Sequence, residues 1–174
     1  MNDYLKSVKK QFAQYKELGE KAMSQVSDEQ LAWQPNEESN SISVIVKHLS
    51  GNMLSRWTDF LSADGEKEWR NRDEEFENDL STREEILLTW NKGWICFFKA
   101  LDSLQTTDLG KIIFIRGEAH TVTEAINRQL AHYSYHVGQL VYIAKMMQNE
   151  KWKSLSIPRN KSAQYNAEKL NTAG

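Results

Sequence analysis

The sequence predicts an all-α protein, a four-helix bundle with a long connection between its second and third helices and a short extended segment before its fourth. Apolar residues recur at intervals of three and four along four long segments. Two prolines and eight glycines among 174 residues allow long unbroken helices and argue against an all-β chain. A four-helix bundle is the simplest arrangement that buries four apolar stripes against one another.

The first half of the chain predicts two of these helices. Residues 4–26 carry apolar side chains at helical spacing. Ser27 to Gln30 match the capping-box pattern, in which two side chains three residues apart each bind the other's backbone N–H, and they predict a short helix or turn. After a polar loop, residues 34–41, the second long helix should run from about Ile42 to Leu61.

A long charged connection is predicted next. Residues 62–81 contain an Asp-Gly turn dipeptide and few apolar positions, which indicates a surface segment. Connections of this length in small domains are often functional or partly structured. Ser81 to Glu84 match a second capping box, and the third helix should begin there and end near Leu101.

The last long helix follows an extended segment. The β-branched run Ile112, Ile113 and Ile115 favours extended backbone over helix. Thr121 to Glu124 match a third capping box, which begins a fourth helix that should reach about Gln148. We therefore predict one bundle domain, residues 1–150, and a polar tail, residues 151–174, that packs on the bundle or extends from it.

Composition limits the functions to consider. Hydrophobic residues at 40% and charged residues at 26% are typical of a folded soluble protein. A net charge of −2 has no basic excess, so we expect neither nucleic acid nor an anionic membrane as partner. The charged first residues do not resemble a signal peptide, and no apolar run has the roughly 18 residues of a membrane span, so we expect a cytoplasmic protein. The single cysteine, Cys96, lies in an apolar run and is interpreted as a core residue, with a reactive thiol as the alternative.

Two of the four histidines lie four residues apart on the fourth predicted helix. His132 and His136 therefore share one face, about 6 Å apart along the axis, and two imidazoles so placed can converge on one metal ion. The polar residues of the same helix lie roughly opposite the pair, which indicates that the histidines face the interior or a cleft. The alternative is two core or boundary histidines, each hydrogen-bonded to a neighbour.

A third histidine favours the metal site. His48 lies beside the apolar stripe of the second predicted helix, and an antiparallel bundle can bring it close to the fourth helix. Three inward histidines that can meet are more typical of a metal centre than of residues with separate structural roles. Three protein ligands also leave coordination positions vacant, as in catalytic sites. We predict that His48, His132 and His136 bind a metal ion.

Several nearby residues are candidates for a pocket at this site. Gln129 flanks the pair of histidines, and a loop with Arg116, Glu118 and His120 enters near the same end of the helix. His120 is open to three interpretations, as a fourth ligand, a substrate contact or an exposed loop residue. No second inward carboxylate near the histidines presents itself as a general base. Glu118 and Glu124 are the nearest candidates, and Glu124 is better explained as part of the capping box.

Four short segments carry these residues: KHLSGNMLSRW around His48, LAHYSYHVGQL around the helical pair, DGEKEWRNRDEEF and RGEAHTVTEAI. Together they resemble the DinB/YfiT-like superfamily of bacterial four-helix-bundle proteins, and within it one uncharacterised subfamily. The resemblance spans most of residues 1–150. It implies a divalent ion, zinc or nickel, held by His48, His132 and His136, with water or substrate at the remaining positions.

The resemblance also implies an activity. Characterised relatives include thiol-dependent transferases and isomerases that use low-molecular-weight thiols such as bacillithiol or mycothiol. The resemblance also implies a dimer, since many of these relatives look like dimers. We therefore expect a homodimeric S-transferase that joins such a thiol to a small electrophile, since a divalent cation acidifies a bound thiol. A metal-dependent hydrolase and a non-catalytic metal-binding or dimerising protein are the alternatives.

Arg56, Trp57, Arg70, Arg72 and Asp73 match the pattern of that subfamily in the middle of the chain. Arginines beside a tryptophan can bind a carboxylate of a substrate or of a thiol cofactor. An ion-pair network that orders the long connection, or a dimer contact, explains the same residues. The sequence leaves these interpretations open.

Overall fold

Four long helices form the body of the structure, a computed structural model that describes residues 3–171. They are α1 (Asp3–Met23), α3 (Ile42–Trp57), α4 (Arg83–Ser103) and α5 (Val122–Gln148), and a short helix α2 (Asp28–Leu31) follows α1. The helices α3 and α4 pack along each other, as do α1 and α5. The prediction of an all-α fold is confirmed, with one small hairpin as the only sheet among the described residues.

Side-chain caps begin the helices close to the predicted positions. The capping boxes Ser27 to Gln30 and Thr121 to Glu124 are both present. The third box is displaced by one residue, because Thr82 is the N-cap and Glu85 its partner. The Glu85 carboxylate accepts hydrogen bonds from the backbone N–H groups of both Ser81 and Thr82, so one side chain serves both candidate caps.

The helix α3 ends four residues before the predicted Leu61. Its C-cap, Thr58, has extended backbone, and Asp59 has a φ of 49°, a left-handed conformation that a helix cannot continue. Phe60 nevertheless remains buried, because the turn that follows folds its side chain back onto the core. The apolar stripe therefore continued past the end of the helix, which explains the wrong boundary.

The predicted extended segment is one half of a β-hairpin. Strand β1 (Ile112–Ile115) pairs antiparallel with β2 (Glu118–Thr121), and Arg116 and Gly117 form the turn with φ values of 57° and 74°. The carboxylate of Asp64 accepts hydrogen bonds from both turn N–H groups, at 2.8 Å each. The hairpin is thereby attached to the long connection between α3 and α4.

That connection contains a single 3-10 helix, Asp73–Phe76, which packs against α3. Within it Glu75 is buried, although the surrounding residues are charged and mostly exposed. The predicted long connection is therefore partly structured, and its ordered part lies over the face of α3 that carries His48.

Aromatic side chains fill the centre of the bundle. Trp90 and Trp94 of α4 are buried, and Trp94 contacts Phe97 and Tyr133 edge to face. Cys96 is half-buried and packs against this core. Both tryptophans therefore belong to the core.

The polar tail contains a helix that the sequence reading did not predict. A 3-10 turn, Asn149–Lys151, ends α5, and α6 (Ser162–Asn171) follows with every residue exposed. The last three residues of the predicted tail, 172–174, lie outside the described residues. Across residues 3–171, no helix combines the length and the apolar character that crossing a bilayer requires.

Candidate metal centre

The three predicted ligands meet between α3 and α5. His48 comes from α3 and His132 and His136 from α5, and each offers one ring nitrogen within 4.8 Å of the other two. The Nε2 atoms of His48 and His132 are 3.4 Å apart. The ring centroids of the three imidazoles lie 4.8 to 5.4 Å from one another. These histidines therefore lie close enough to hold a metal ion, as the sequence predicted.

Glu75 fixes the ring of His48. Its Oε2 lies 3.0 Å from His48 Nδ1, and because a carboxylate only accepts, Nδ1 carries the proton and Nε2 presents a lone pair. Arg70 donates to both oxygens of Glu75, at 2.7 and 2.9 Å. Burial acts to raise the pKa of Glu75, but the hydrogen bonds from His48 and Arg70 outweigh it and hold the pKa below its usual value.

Gln139 fixes the ring of His136, as Glu75 fixes the ring of His48. The side-chain oxygen of Gln139 lies 2.8 Å from His136 Nδ1 and accepts a hydrogen bond from its N–H group. The other ring nitrogen, Nε2, is buried and has no hydrogen-bond partner among the described residues. A buried polar atom left in this way costs about 1–3 kcal/mol, so native structures seldom contain one without a reason. An ion bound by Nε2 would supply that reason.

Burial keeps two of the rings neutral. It lowers the pKa of His132 to about 3 and the pKa of His136 to about 4, and the neighbouring imidazoles add to both shifts. At neutral pH these imidazoles are therefore uncharged, which is the form that binds a metal. A ligating histidine whose second nitrogen donates to a carboxylate or carbonyl is the usual arrangement in metal sites. The residues present thus fit a divalent ion that prefers imidazole, such as zinc or nickel.

A cavity of about 270 Å³ opens beside the histidines. His48 and His132 form part of its wall, together with Asn52, Gln129 and Tyr135 and five arginines that are described below. A molecule in this cavity would lie next to the ring nitrogens, so the group is accessible to a ligand of moderate size.

The predicted pocket residues separate into two sets. Gln129 and Arg116 line the cavity, whereas Glu118 and His120 are not among its lining residues. His120 lies on β2, outside the group of three imidazoles, with its Nε2 3.6 Å from a carboxylate oxygen of Glu118. Of the interpretations that the sequence allowed for His120, the geometry does not support the fourth ligand.

Sequence reasoning missed the carboxylate at the site. It did not single out Glu75, although this carboxylate contacts His48 directly. In the sequence Glu74 and Glu75 are adjacent acids of a charged segment, and Phe76 is the apolar residue that could have marked this turn as packed on the core. In the structure the ring of Phe76 packs against His48. Glu124, in contrast, is confirmed as the capping-box residue of α5.

The fold and the group of three histidines define a helical-bundle protein with a candidate metal centre. The chain belongs to the family described as "Protein of unknown function (DUF1572)", which matches residues 1–161. The match includes the three histidines and Glu75. A comparison with curated proteins found no match. The link to the DinB/YfiT-like superfamily does not conflict with this family and stays a prediction.

Proposed function

We propose that this protein is a divalent-metal-dependent enzyme that transfers a low-molecular-weight thiol to a small electrophile. The observation that carries the proposal is the convergence of three imidazoles, in which the buried Nε2 of His136 has no hydrogen-bond partner among the described residues. The choice of thiol transfer is supported by the resemblance of the segments around His48 and the helical pair to DinB/YfiT-like proteins.

The residues of the chain would prepare the site before any substrate binds. Glu75 and Gln139 hold the protons of His48 and His136 on Nδ1, so that both Nε2 atoms point their lone pairs at one place. A zinc or nickel ion held there would lower the pKa of a thiol next to it, so that the thiolate forms near neutral pH. The cavity beside His48 and His132 would hold the two reactants close together.

The transfer itself is a substitution. The thiolate sulfur forms a bond to the electrophilic carbon, and the bond between that carbon and its leaving group breaks, with the electron pair going to the leaving group. The proton of the thiol passes to solvent, and no oxidant or reductant is consumed. Both oxygens of Glu75, the described carboxylate that contacts these histidines, are already engaged by Arg70 and His48. This supports a reaction whose nucleophile ionises without a protein base.

Metal content tests the first half of the proposal. We expect purified wild-type protein, prepared without chelators, to contain about one divalent ion per chain, and the His132→Ala and His136→Ala variants to lose it. His120→Ala is the matched control, because this histidine lies outside the group, and it should retain the metal. Wild-type protein that binds no divalent ion even when zinc or nickel is supplied would overturn the proposal.

Spectroscopy tests the second half. When cobalt-substituted protein is titrated with bacillithiol, a thiolate-to-cobalt charge-transfer band should appear, and bacillithiol should be consumed when an aryl chloride electrophile is added. If no band appears and the protein instead hydrolyses esters without a thiol, the hydrolase is correct. If metal binds and neither activity is found, the protein is a non-catalytic metal binder.

Thiol chemistry of this kind needs a reducing compartment, so we also propose that the protein acts in the cytoplasm, and as a homodimer in line with the resemblance. Sedimentation equilibrium of the purified chain measures the second point directly. A mass equal to that of one 20.2 kDa chain over a wide concentration range would exclude the dimer.

A further inference from the structure

Arginine is concentrated at the cavity beside the histidines. Five of the seven arginines in the chain line it, and no aspartate, glutamate or lysine of the described residues does. The protein as a whole carries a net charge of −2, so composition does not explain this accumulation. The five are Arg56, Arg70, Arg72, Arg116 and Arg128.

Three of these arginines form ion pairs with carboxylates that do not line the cavity. Glu66 accepts from Arg56 at 3.1 Å and from Arg116 at 2.8 Å, and Arg70 is paired with Glu75. These contacts confirm the ion-pair interpretation of Arg56 and Arg70, because they join the long connection to α3 and the hairpin. They leave three guanidinium groups opposite two carboxylates, so positive charge remains.

The other two arginines are not neutralised. Arg72 and Arg128 are exposed, and neither forms an ion pair within residues 3–171. The guanidinium of Arg72 lies over the ring of Phe76, 4.9 Å from its centroid, and that ring packs on His48. Arg128 is one helical turn before His132 on α5, on the same face. Both charges are therefore directed by the fold to the cavity next to the candidate metal centre.

Gln129 adds an uncharged group to the same wall. The residue is 2% exposed, and its Oε1 has no hydrogen-bond partner in the part of the chain that the structure describes. An amide oxygen buried in this way needs a donor, which a ligand with an N–H or O–H group would provide. The cavity thus combines unneutralised guanidinium groups with a buried polar atom that has no partner.

We propose that this cavity binds a carboxylate or phosphate group of the small molecule that reacts at the three histidines, with Arg72 and Arg128 as its principal charged contacts. Guanidinium groups bind both anions through paired N–H donors, which suits a wall built from arginine without lysine. Gln129 would accept from a donor on the same molecule. The role of the anion as part of a substrate rests on the proposed function, whereas its binding does not.

Calorimetric titration with inorganic phosphate and with succinate tests this assignment at low ionic strength. Metal is first removed with phenanthroline, an uncharged chelator that cannot compete for an anion site. We expect the metal-free wild-type protein to bind at least one of the two probes, and the Arg72→Gln/Arg128→Gln double variant to bind about tenfold more weakly or worse. Arg159→Gln removes the same kind of charge from an exposed position outside the cavity and should bind as the wild type does.

The outcomes separate this inference from the proposed function. Wild-type protein that binds neither probe at millimolar concentration, or a double variant that binds as tightly as Arg159→Gln, overturns the anion site. Binding of one probe and not the other supports it and identifies the anion. Anion binding in a protein that never takes up metal leaves this inference intact and overturns only the proposed function. Because the side chains of Arg72 and Arg128 are exposed, we expect the double variant to remain folded, and its thermal melt checks this.

Discussion

Glu75 is the residue that joins the long connection to the candidate metal centre. It comes from a charged surface segment, yet its side chain is buried and engages His48 with one oxygen and Arg70 with both. Gly51 of α3 makes this possible, since a Cβ atom at that position would overlap the carboxylate of Glu75. The small residue and the buried acid are complementary parts of one contact.

Replacing Glu75 by glutamine should weaken metal binding by about 10- to 100-fold, because an amide no longer fixes the proton of His48 on Nδ1 as a carboxylate does. Competition with a chromogenic chelator measures the change in the zinc dissociation constant. Glu77→Gln, an exposed acid of the same segment, is the control and should bind zinc as the wild type does. Equal affinity in the two variants would show that Glu75 has only a structural role.

The stability of the metal-free protein should fall as the pH is lowered from about 7.5 to about 5. In the unfolded chain His132 and His136 take up protons near pH 6.5, but in the folded protein the pKa is about 3 for His132 and about 4 for His136. Protons therefore bind preferentially to the unfolded state below about pH 6.5, which lowers the free energy of unfolding, and the contribution is constant above that pH. Urea denaturation at several pH values measures the slope.

A His132→Gln/His136→Gln variant is the control for this pH dependence. It lacks both buried imidazoles, so its stability should change less over the same interval, in which carboxylates stay largely ionised. Identical slopes for the variant and the wild type would assign the pH dependence to other groups.

At the scale of elements, the approach of α4 to α3 depends on a glycine. A Cβ atom on Gly93 of α4 would lie 2.8 Å from the Cα of Ser50 on α3, a backbone atom that cannot move aside alone. Since α3 carries His48, this contact also sets the position of one ligand relative to the rest of the bundle. Gly138 of α5 is different, because a Cβ there meets nothing within 4 Å.

Gly93→Ala should lower the free energy of unfolding by about 1–3 kcal/mol, because the two helices must separate to admit a methyl group. Gly138→Ala is the matched control within the other helix of the site. It should raise the free energy of unfolding by about 0.5–1 kcal/mol, because alanine favours helix over glycine and the methyl group meets no obstacle. Chemical denaturation of both variants checks the signs, and a stabilising Gly93→Ala would contradict the close packing.

At the scale of the molecule, the bundle consists of two helix pairs, α3 with α4 and α1 with α5. The candidate ligands come from α3 and α5, one helix of each pair, so an ion bound there would connect the two halves. The hairpin and the long connection meet beside the cavity next to the histidines. Asp64 binds the hairpin turn, and Glu66 pairs with an arginine of α3 and with an arginine of the turn. The region around the histidines is therefore where separate parts of the chain depend on one another.

Zinc should stabilise the whole protein. Free metal at about 100 times its dissociation constant raises the free energy of unfolding by about 2.7 kcal/mol, provided that it binds only the folded state. Denaturation of stripped protein with and without zinc measures the difference, and His136→Ala should abolish it. An equal increase in His136→Ala would mean that zinc binds elsewhere.

Much of this architecture could be predicted because it depends on local properties of the chain. Apolar periodicity placed the four long helices, and capping boxes placed the starts of α2 and α5, since both depend on residues within a few positions of each other. The same periodicity indicated that His48, His132 and His136 face inward. Their meeting is what an antiparallel bundle of such helices brings about.

The sequence by itself thus determined the four long helices, the inward histidines and the long connection, while only the tertiary structure decided what surrounds the site. Glu75 contacts a residue 27 positions away, and Arg72 and Arg128 reach one cavity from the connection and from α5. No periodicity relates such residues, because an irregular connection has no repeating geometry that could direct its side chains. Their placement follows from packing the connection over α3, an outcome that depends on the whole fold.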